Sequence, residues 1–170
     1  MPQGLVILIM GVSGSGKTTI GRLLADRRSF QFVDADDFHP PGNVEKMRQG
    51  IPLTEVDRLP WLEFIGDSIS QWIAQKKFIV LACSALQEAH RKKLIRDHEG
   101  IPIIFLKGDF DLINERLEKR KGHFFDKSLL SSQFGIIEEP MQAITLDISA
   151  APSKIVDQAE KGLRRYFQST

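Results

Sequence analysis

The sequence contains Gly11-Val12-Ser13-Gly14-Ser15-Gly16-Lys17-Thr18, which matches the phosphate-loop pattern G-x-x-x-x-G-K-[ST] without a mismatch. An unbroken apolar run over 5–10 precedes it and predicts a buried strand. Apolar residues with helical spacing follow over 17–28. Strand, glycine-rich loop and helix are the setting that the motif requires, so the stretch predicts a loop that binds the phosphates of a nucleotide.

The residue types of this motif explain how it would bind an anion. Glycines let the backbone wrap closely around a polyphosphate and direct several N–H groups towards it. The helix that follows presents its positive end to the same anion. The Lys17 ammonium can reach the β- and γ-phosphates, and the Thr18 hydroxyl can bind Mg²⁺.

Length and composition limit the class of protein. At 170 residues the chain is expected to form one domain, 1–170. Its 23 basic and 22 acidic residues nearly cancel, which argues against a dedicated nucleic-acid-binding protein. Cys83 is the one cysteine and suits a reducing compartment, and no apolar run approaches the roughly 20 residues of a membrane helix. We therefore expect a cytoplasmic protein with no membrane partner.

Short apolar runs alternate with helical patterns along the whole chain. Alternation of this kind predicts an α/β fold, in which helices cover both faces of a parallel sheet. One helix should carry Trp61, Phe64 and Trp72 in the core, with Pro60 in its first turn. The predicted strands are 5–10, 30–33, 78–83, 103–106 and 143–148, and the predicted helices are 17–28, 59–75, 87–97, 110–121 and 153–167.

Two polar stretches interrupt this rhythm, at about 36–57 and about 119–134. Long ordered insertions are usually functional loops or lids. In parallel α/β sheets, ligands bind beyond the carboxyl ends of the strands, where both insertions and the phosphate loop are expected. We therefore expect the first insertion to bind a substrate and the second to act as a lid.

Acidic residues follow the second predicted strand as Asp34-Ala35-Asp36. Residues two apart in extended chain face the same way, so both carboxylates should point into the site. One could bind Mg²⁺ and the other could accept a proton from a substrate hydroxyl, which are the roles that phosphoryl transfer needs.

Basic residues cluster where the fourth helix runs into the second insertion. Arg116 and Arg120 are four apart and share a helix face, and Lys119, Lys121 and Lys127 lie nearby. Such a basic helix end could close over ATP and stabilise the charge of the transferred phosphoryl group. We expect both arginines to contact the nucleotide and Arg120 to act in catalysis.

The remaining candidate contacts to a substrate come from the two insertions and the third strand's exit. No pair of histidines has zinc spacing, which disfavours a metal other than Mg²⁺. Cys83 ends an apolar strand and is expected to be a buried hydrophobic side chain and not a nucleophile. The candidates are His39, Arg58, Arg91, His123 and Gln133.

Several blocks together resemble the small gluconate kinases (gluconokinases) of the nucleoside-monophosphate-kinase-like group. They are GVSGSGKT at 11–18, DADDFHPPGNVEKM at 34–47, GIPLTEVDRLPWL at 50–62, ACSAL at 82–86, LKG at 106–108 and GHFFDKSLLSSQF at 122–134, followed by Glu139-Pro140. The resemblance covers almost the whole chain. It implies a five-stranded parallel sheet with a lid, phosphorylation of the 6-hydroxyl of D-gluconate with ATP and Mg²⁺, and a homodimer.

The resemblance also assigns roles to residues. Residues 11–18 would bind the triphosphate, Asp34 would lie on the Mg²⁺ side, and Asp36 would lie on the substrate side. Arg116 and residues 149–153 would hold adenine, with Arg120 at the lid. The sugar-acid pocket would be lined by His39, Arg58, Arg91 and Gln133.

One departure from the gluconokinase pattern follows ACSAL. Gln87-Glu88 stands where the family usually has two basic residues, whereas Arg91 is retained. If that basic pair attracts the anionic substrate, its loss costs about 1 kcal/mol for exposed side chains. We therefore expect at most a weaker affinity for gluconate or an altered specificity.

Two alternatives remain at this stage. Shikimate kinases share the phosphate loop and D-x-D, but they carry consecutive glycines at the substrate site, and this chain has no Gly-Gly. A nucleotide-binding module without turnover is the second alternative. The chain has no N-K-x-D motif for guanine and no D-x-x-G directly after a predicted strand, so a GTPase-like switch is disfavoured.

Overall fold

A five-stranded, fully parallel sheet organises the protein, as the sequence predicts. The computed structural model describes residues 4–120 and 127–169. The strand order is β2-β3-β1-β4-β5, so the strand that precedes the phosphate loop lies at the centre. The strands are β1 (Leu5–Met10), β2 (Gln31–Asp34), β3 (Phe78–Ala82), β4 (Ile103–Lys107) and β5 (Ile144–Asp147).

The central strand β1 faces a hydrophobic core on each side of the sheet. Ile7 and Ile9 belong to one core, whereas Val6, Leu8 and Met10 belong to the other. Successive side chains of a strand point to opposite faces, so a strand buried on both sides reads as a continuous apolar run. This double burial explains the sequence of β1 and fixes the start of the phosphate loop at the middle of the sheet.

Helices cover both faces of the sheet. The first and last helices pack together on one face, and the third and fourth pack together on the other. In the described part of the chain, no helix has the length and apolar character needed to cross a membrane. The helices are α1 (Lys17–Arg28), α2 (Pro41–Arg48), α3 (Glu55–Ala74), α4 (Glu88–Ile95), α5 (Phe110–Glu118), α6 (Lys127–Ile136) and α7 (Pro152–Ser169).

Helix α3 begins four residues earlier than the sequence analysis expects. The Thr54 hydroxyl accepts a hydrogen bond from Asp57 N, and the Asp57 carboxylate accepts one from Thr54 N at 2.8 Å, which forms a capping box. Pro60 is therefore inside the helix and not in its first turn. Phe64 was expected in the core but is 50% exposed, with its ring 5.3 Å from that of Phe38.

Both polar insertions contain helical structure that the sequence analysis did not predict. The first holds a short 3₁₀ helix, Ala35–Phe38, and all of α2. The described part of the second holds α6. Residues of both insertions line one cavity together with Ser13 and Lys17, so both insertions lie on the same side of the sheet as the phosphate loop.

Candidate active site

The loop between β1 and α1 has the backbone conformation that its glycines predict. Gly14 and Gly16 have φ angles of 79° and 97°, which favour glycine. A side chain at Gly14 would also meet Leu117, because a Cβ built there lies 2.7 Å from Leu117 Cγ. Ser15 Oγ is buried and has no hydrogen-bond partner within the described residues. A buried, unpartnered hydroxyl inside this loop fits a site for a phosphate oxygen.

Lys17 lies folded against the loop that it follows. Its Nζ donates hydrogen bonds to the carbonyl oxygens of Gly11, at 2.9 Å, and Val12, at 3.0 Å. Burial, the largest cause, lowers the pKa of Lys17, and the nearby carboxylate of Asp36 opposes this effect. The ammonium is therefore held at the loop, where its charge can meet a phosphate.

The two predicted Mg²⁺ ligands are in contact. The Thr18 hydroxyl donates to Asp34 Oδ2 at 2.8 Å, and Asp34 Oδ1 accepts from Asp36 N at 3.1 Å. No group of three or more His, Cys, Asp or Glu side chains suited to a metal occurs among residues 4–120 and 127–169. One hydroxyl and one carboxylate fit Mg²⁺, which keeps several waters and takes few protein ligands beside phosphate oxygens.

Asp36 lies in the 3₁₀ helix that follows β2, and not in the extended chain from which its direction was predicted. Desolvation, the largest cause, raises the pKa of Asp36, Lys17 lowers it, and the carboxylates of Asp34 and Asp37 raise it. Solvent screens these effects, because the side chain remains 63% exposed. A carboxylate with a raised pKa is better matched to accepting a proton from a hydroxyl.

A cavity of about 140 Å³ lies beside the loop and collects most of the predicted substrate contacts. Its apolar walls and two of its hydroxyls were not predicted from the sequence. All of these missed residues lie within the blocks that carry the resemblance, which is the signal that could have found them. The predicted lining residues are Ser13, Lys17, Asp36, His39, Arg58 and Gln133, and the missed ones are Met47, Pro52, Leu53, Trp61, Ser84, Leu86, Leu129 and Ser132.

Arg58 is the guanidinium group that lines this cavity among the described residues. Its Nη1 donates to Glu55 Oε1 at 3.0 Å, and its side chain is only 15% exposed. Glu55 Oε2 also lies 3.1 Å from Nε2 of the buried His90. Glu55 therefore links Arg58, in the wall of the cavity, to His90 of helix α4.

Arg91 lies outside this cavity in the described part of the chain. It is buried, and its Nη1 donates to the carbonyl oxygens of Ala85, at 2.9 Å, and Leu86, at 3.3 Å. Its Nε and Nη2 donate to Glu88 Oε2 at 3.1 and 3.0 Å. Glu88, one of the two departures from the gluconokinase pattern, therefore neutralises the charge of Arg91. A substrate contact by Arg91 stays a prediction, and it would require these bonds to be exchanged.

Gln133 of α6 contacts both the cavity and the phosphate loop. Its Oε1 accepts from Ser13 N at 2.7 Å, and its Nε2 donates to Ser13 Oγ at 3.0 Å. His123, another predicted contact in the second insertion, lies outside the described residues. Cys83 is buried, which raises the pKa of its thiol to about 12, so the thiol stays protonated as expected of a hydrophobic side chain.

A second cavity, of about 210 Å³, lies on the other side of the loop. Arg116 and Arg120 line it together with Ala150 and Pro152, which belong to the segment 149–153 predicted to hold adenine. Arg116 Nη2 donates to the carbonyl oxygen of Ile148, which orients this side chain along the loop after β5. The phosphate loop thus separates a basic cavity from the cavity that contains Asp36 and Arg58.

Comparison with known proteins gives one consistent result. A family model described as shikimate kinase matches residues 13–133. The probable gluconokinase of Mus musculus is 43% identical over 152 residues, which are 79% of this chain and 83% of that protein. The gluconokinase of Gluconobacter oxydans is 38% identical and covers 96% of this chain and 91% of its own. The crystal structure of a gluconokinase from Sinorhizobium meliloti 1021 is 38% identical, with a TM-score of 0.86 over 99% of both chains.

Proposed function

Because the chain belongs to the gluconokinase family, and with it to the wider family of the shikimate kinase model, we propose that it transfers the γ-phosphoryl group of ATP to the 6-hydroxyl of D-gluconate. The products are 6-phospho-D-gluconate and ADP. One observation carries the proposal: the phosphate loop forms one wall of a cavity that also contains Asp36 and Arg58. A proton acceptor and a carboxylate-binding group therefore face the position of the transferred phosphate.

The nucleotide occupies the loop and the second cavity in this proposal. Backbone N–H groups of residues 11–18 and the unpartnered Ser15 hydroxyl bind the phosphates. The cavity lined by Arg116 and Arg120 accepts the adenosine portion. Lys17 exchanges its two carbonyl partners for phosphate oxygens and stabilises the negative charge that develops during transfer.

Thr18 and Asp34 would hold Mg²⁺, since they are already in contact and offer oxygen ligands only. When bound, Mg²⁺ neutralises charge on the phosphates. Asp34 is kept in place by accepting the hydrogen bond of Asp36 N, so the end of β2 presents both acids in fixed relative positions. Asp36 is left to accept the proton of the substrate hydroxyl.

Arg58 anchors the carboxylate of the sugar acid in this proposal. A guanidinium group binds a carboxylate in a bidentate manner, which selects acids over neutral sugars. Ser84, Ser132 and Gln133 offer donors and acceptors for the hydroxyl chain on the same cavity wall. Asp36 and Arg58 line one cavity. Arg58 can therefore anchor the carboxylate of a substrate molecule while Asp36 accepts the proton of its hydroxyl.

The experiment is a coupled assay of ADP release with ATP and Mg²⁺ that compares gluconate, shikimate and other sugar acids. Turnover with gluconate well above the other acids supports the proposal. Turnover with shikimate or another acid instead would support a kinase activity and would show that gluconate is not the substrate. ATP binding without turnover on any acid would overturn the enzymatic function.

Asp34→Asn is expected to raise the Mg²⁺ concentration needed for half-maximal rate, with Asp111→Asn on α5 as the control.

Two further proposals concern location and assembly, and the first rests on the single cysteine and the second on the resemblance. The enzyme is expected to act in the cytoplasm and to form a homodimer. Sedimentation equilibrium at several protein concentrations tests the second, and a mass of one chain at all of them would exclude it.

A further inference from the structure

His39 lies in the wall of the substrate cavity and is held from two sides. Its ring stacks on that of Trp61, with centroids 4.0 Å apart and planes inclined by 16°. Its Nδ1 lies 3.3 Å from Nδ2 of Asn43, which is 5% exposed. Only 4% of the His39 side chain is exposed. The ring is therefore fixed in its plane and in its rotation within that plane.

The identity of the Asn43 atom that faces His39 follows from a second contact. Asn43 Nδ2 also donates to the main-chain carbonyl oxygen of Asp57 at 2.9 Å. A carbonyl oxygen can only accept, so the Asn43 atom between these two partners must be the amide nitrogen. Its two hydrogens then serve Asp57 O and His39 Nδ1, which makes Nδ1 an acceptor.

A neutral imidazole with an acceptor at Nδ1 carries its proton on Nε2. Nε2 lies 3.8 Å from Asp36 Oδ1, a separation beyond hydrogen-bond distance. Asp36 and His39 both line the same cavity. Burial, with a smaller effect from Arg58, lowers the pKa of His39 to about 4, which agrees with a neutral ring. The charged groups that face the ring are Asp36 from the 3₁₀ helix and Arg58 from α3.

We propose that Asn43 is a positioning residue that fixes His39 as the Nε2–H tautomer, so that His39 donates a hydrogen bond to a substrate oxygen beside Asp36. The donor role rests on the proposed function, because it needs an acid substrate in this cavity. A ring with Nε2–H cannot accept the proton of the substrate hydroxyl. With this tautomer, Asp36 remains the proton acceptor, and His39 acts as a hydrogen-bond donor.

The first test needs no turnover. Long-range ¹H–¹⁵N correlation spectra of the ¹⁵N-labelled enzyme at pH 7 separate the two neutral tautomers and the imidazolium form of each of the four histidines. The His39 signals are assigned by their loss in His39→Gln. The expected result is a neutral ring protonated at Nε2. A ring protonated at Nδ1, or a charged ring, would overturn the proposal even if the enzyme phosphorylates gluconate at full rate.

Asn43→Ala removes the donor, so the His39 signals are expected to shift towards a mixture of tautomers. Because the catalytic geometry is loosened and not removed, kcat/KM for gluconate should fall on the order of 10-fold to 100-fold. Asn114→Ala is the matched control, since Asn114 bonds Glu118 on the exposed face of α5. An unchanged His39 spectrum together with unchanged kinetics in Asn43→Ala would contradict the positioning role.

A pair of variants at His39 tests the donor role. Gln places an amide N–H near the position of Nε2, whereas Met has similar length and no donor. His39→Gln is expected to retain at least tenfold more kcat/KM for gluconate than His39→Met. Equal losses would show that the ring only fills space. A correct tautomer in an enzyme that does not accept gluconate would refute the proposed function and leave the assignment of Asn43 standing.

Discussion

The side-chain amide of Gln133 pairs with Ser13 through two hydrogen bonds, one to the main-chain N–H at 2.7 Å and one to the hydroxyl at 3.0 Å. The two residues are 120 positions apart in the chain. One belongs to α6, in the second insertion, and the other to the phosphate loop. The pair therefore links the helix that covers the substrate cavity to the loop that binds the nucleotide.

Replacement of this amide should affect the acid substrate more than the nucleotide. Gln133 lines the cavity of Asp36 and Arg58, so Gln133→Ala is expected to raise the KM for gluconate about tenfold, while the KM for ATP changes less than about threefold. Steady-state kinetics with each substrate varied in turn measure both. Gln71→Ala, on the exposed side of α3, is the control. A larger effect on ATP would place Gln133 in the nucleotide site instead.

Lys17 should matter for the rate and much less for the fold. Lys17→Ala removes the ammonium that bonds the carbonyls of Gly11 and Val12, so turnover is expected to fall on the order of 100-fold or more. Single-turnover kinetics at saturating ATP and gluconate measure the loss, and circular dichroism checks the fold. Lys154→Ala, at an exposed position of α7, should leave the turnover unchanged. Near-full activity of the Lys17 variant would refute its role in charge stabilisation.

The sequence predicted the central features of the fold because they depend on local patterns. Each of three local patterns indicates one structure: the apolar run of β1, the glycine spacing of the loop, and the alternation of strands and helices. The predicted start of α3 is too late because Thr54 and Asp57, which cap the helix, lie in a stretch that was interpreted as loop. Helix α2 was not predicted because only Asn43 of that helix is buried, so no apolar stripe marks it.

The arrangement of the site depended on contacts that no local pattern contains. The spacing of Glu88 and Arg91 on a helix is compatible with an ion pair, but the burial of Arg91 against two carbonyls depends on the path of the loop after β3. The Asn43–His39 contact depends likewise on Asp57, which α3 brings to the same place. Residue type predicted which groups are reactive, and packing decided what each of them faces.

Two arginines predicted to bind substrate should therefore behave differently. Arg58→Met is expected to raise the KM for gluconate about 10-fold to 100-fold, because a charge-assisted contact in the cavity is lost, with little effect on stability. Arg91→Met is expected to lower the free energy of unfolding by about 1–3 kcal/mol, because the buried carbonyl of Ala85 loses this donor, whereas the carbonyl of Leu86 keeps the hydrogen bond from Glu138 N.

Urea denaturation and gluconate kinetics of both variants test this contrast. Arg96→Met, on the partly exposed Arg96–Asp67 ion pair, is the control for stability. If Arg91→Met instead raises the KM for gluconate as much as Arg58→Met does and keeps wild-type stability, Arg91 contacts the substrate.

The buried ring of His39 should make the stability of the protein depend on pH. The pKa of His39 is lowered from 6.5 to about 4 in the folded protein, first by burial and second by Arg58. Between these values the unfolded chain binds a proton that the folded chain does not, so the free energy of unfolding falls as the pH falls from 6.5 to 4. Full coupling of one proton sets a ceiling of about 1.4 kcal/mol per pH unit.

His39→Gln removes this coupling, so its free energy of unfolding should fall less steeply over the same range than that of the wild type. Burial lowers the pKa of His90 as well, but His90 is present in both proteins and cancels in the difference. Urea denaturation at pH 6.5, 5.5 and 4.5 measures the two slopes. Parallel slopes would mean that His39 binds its proton in the folded protein as readily as in the unfolded chain, and the lowered pKa of His39 would then have to be abandoned.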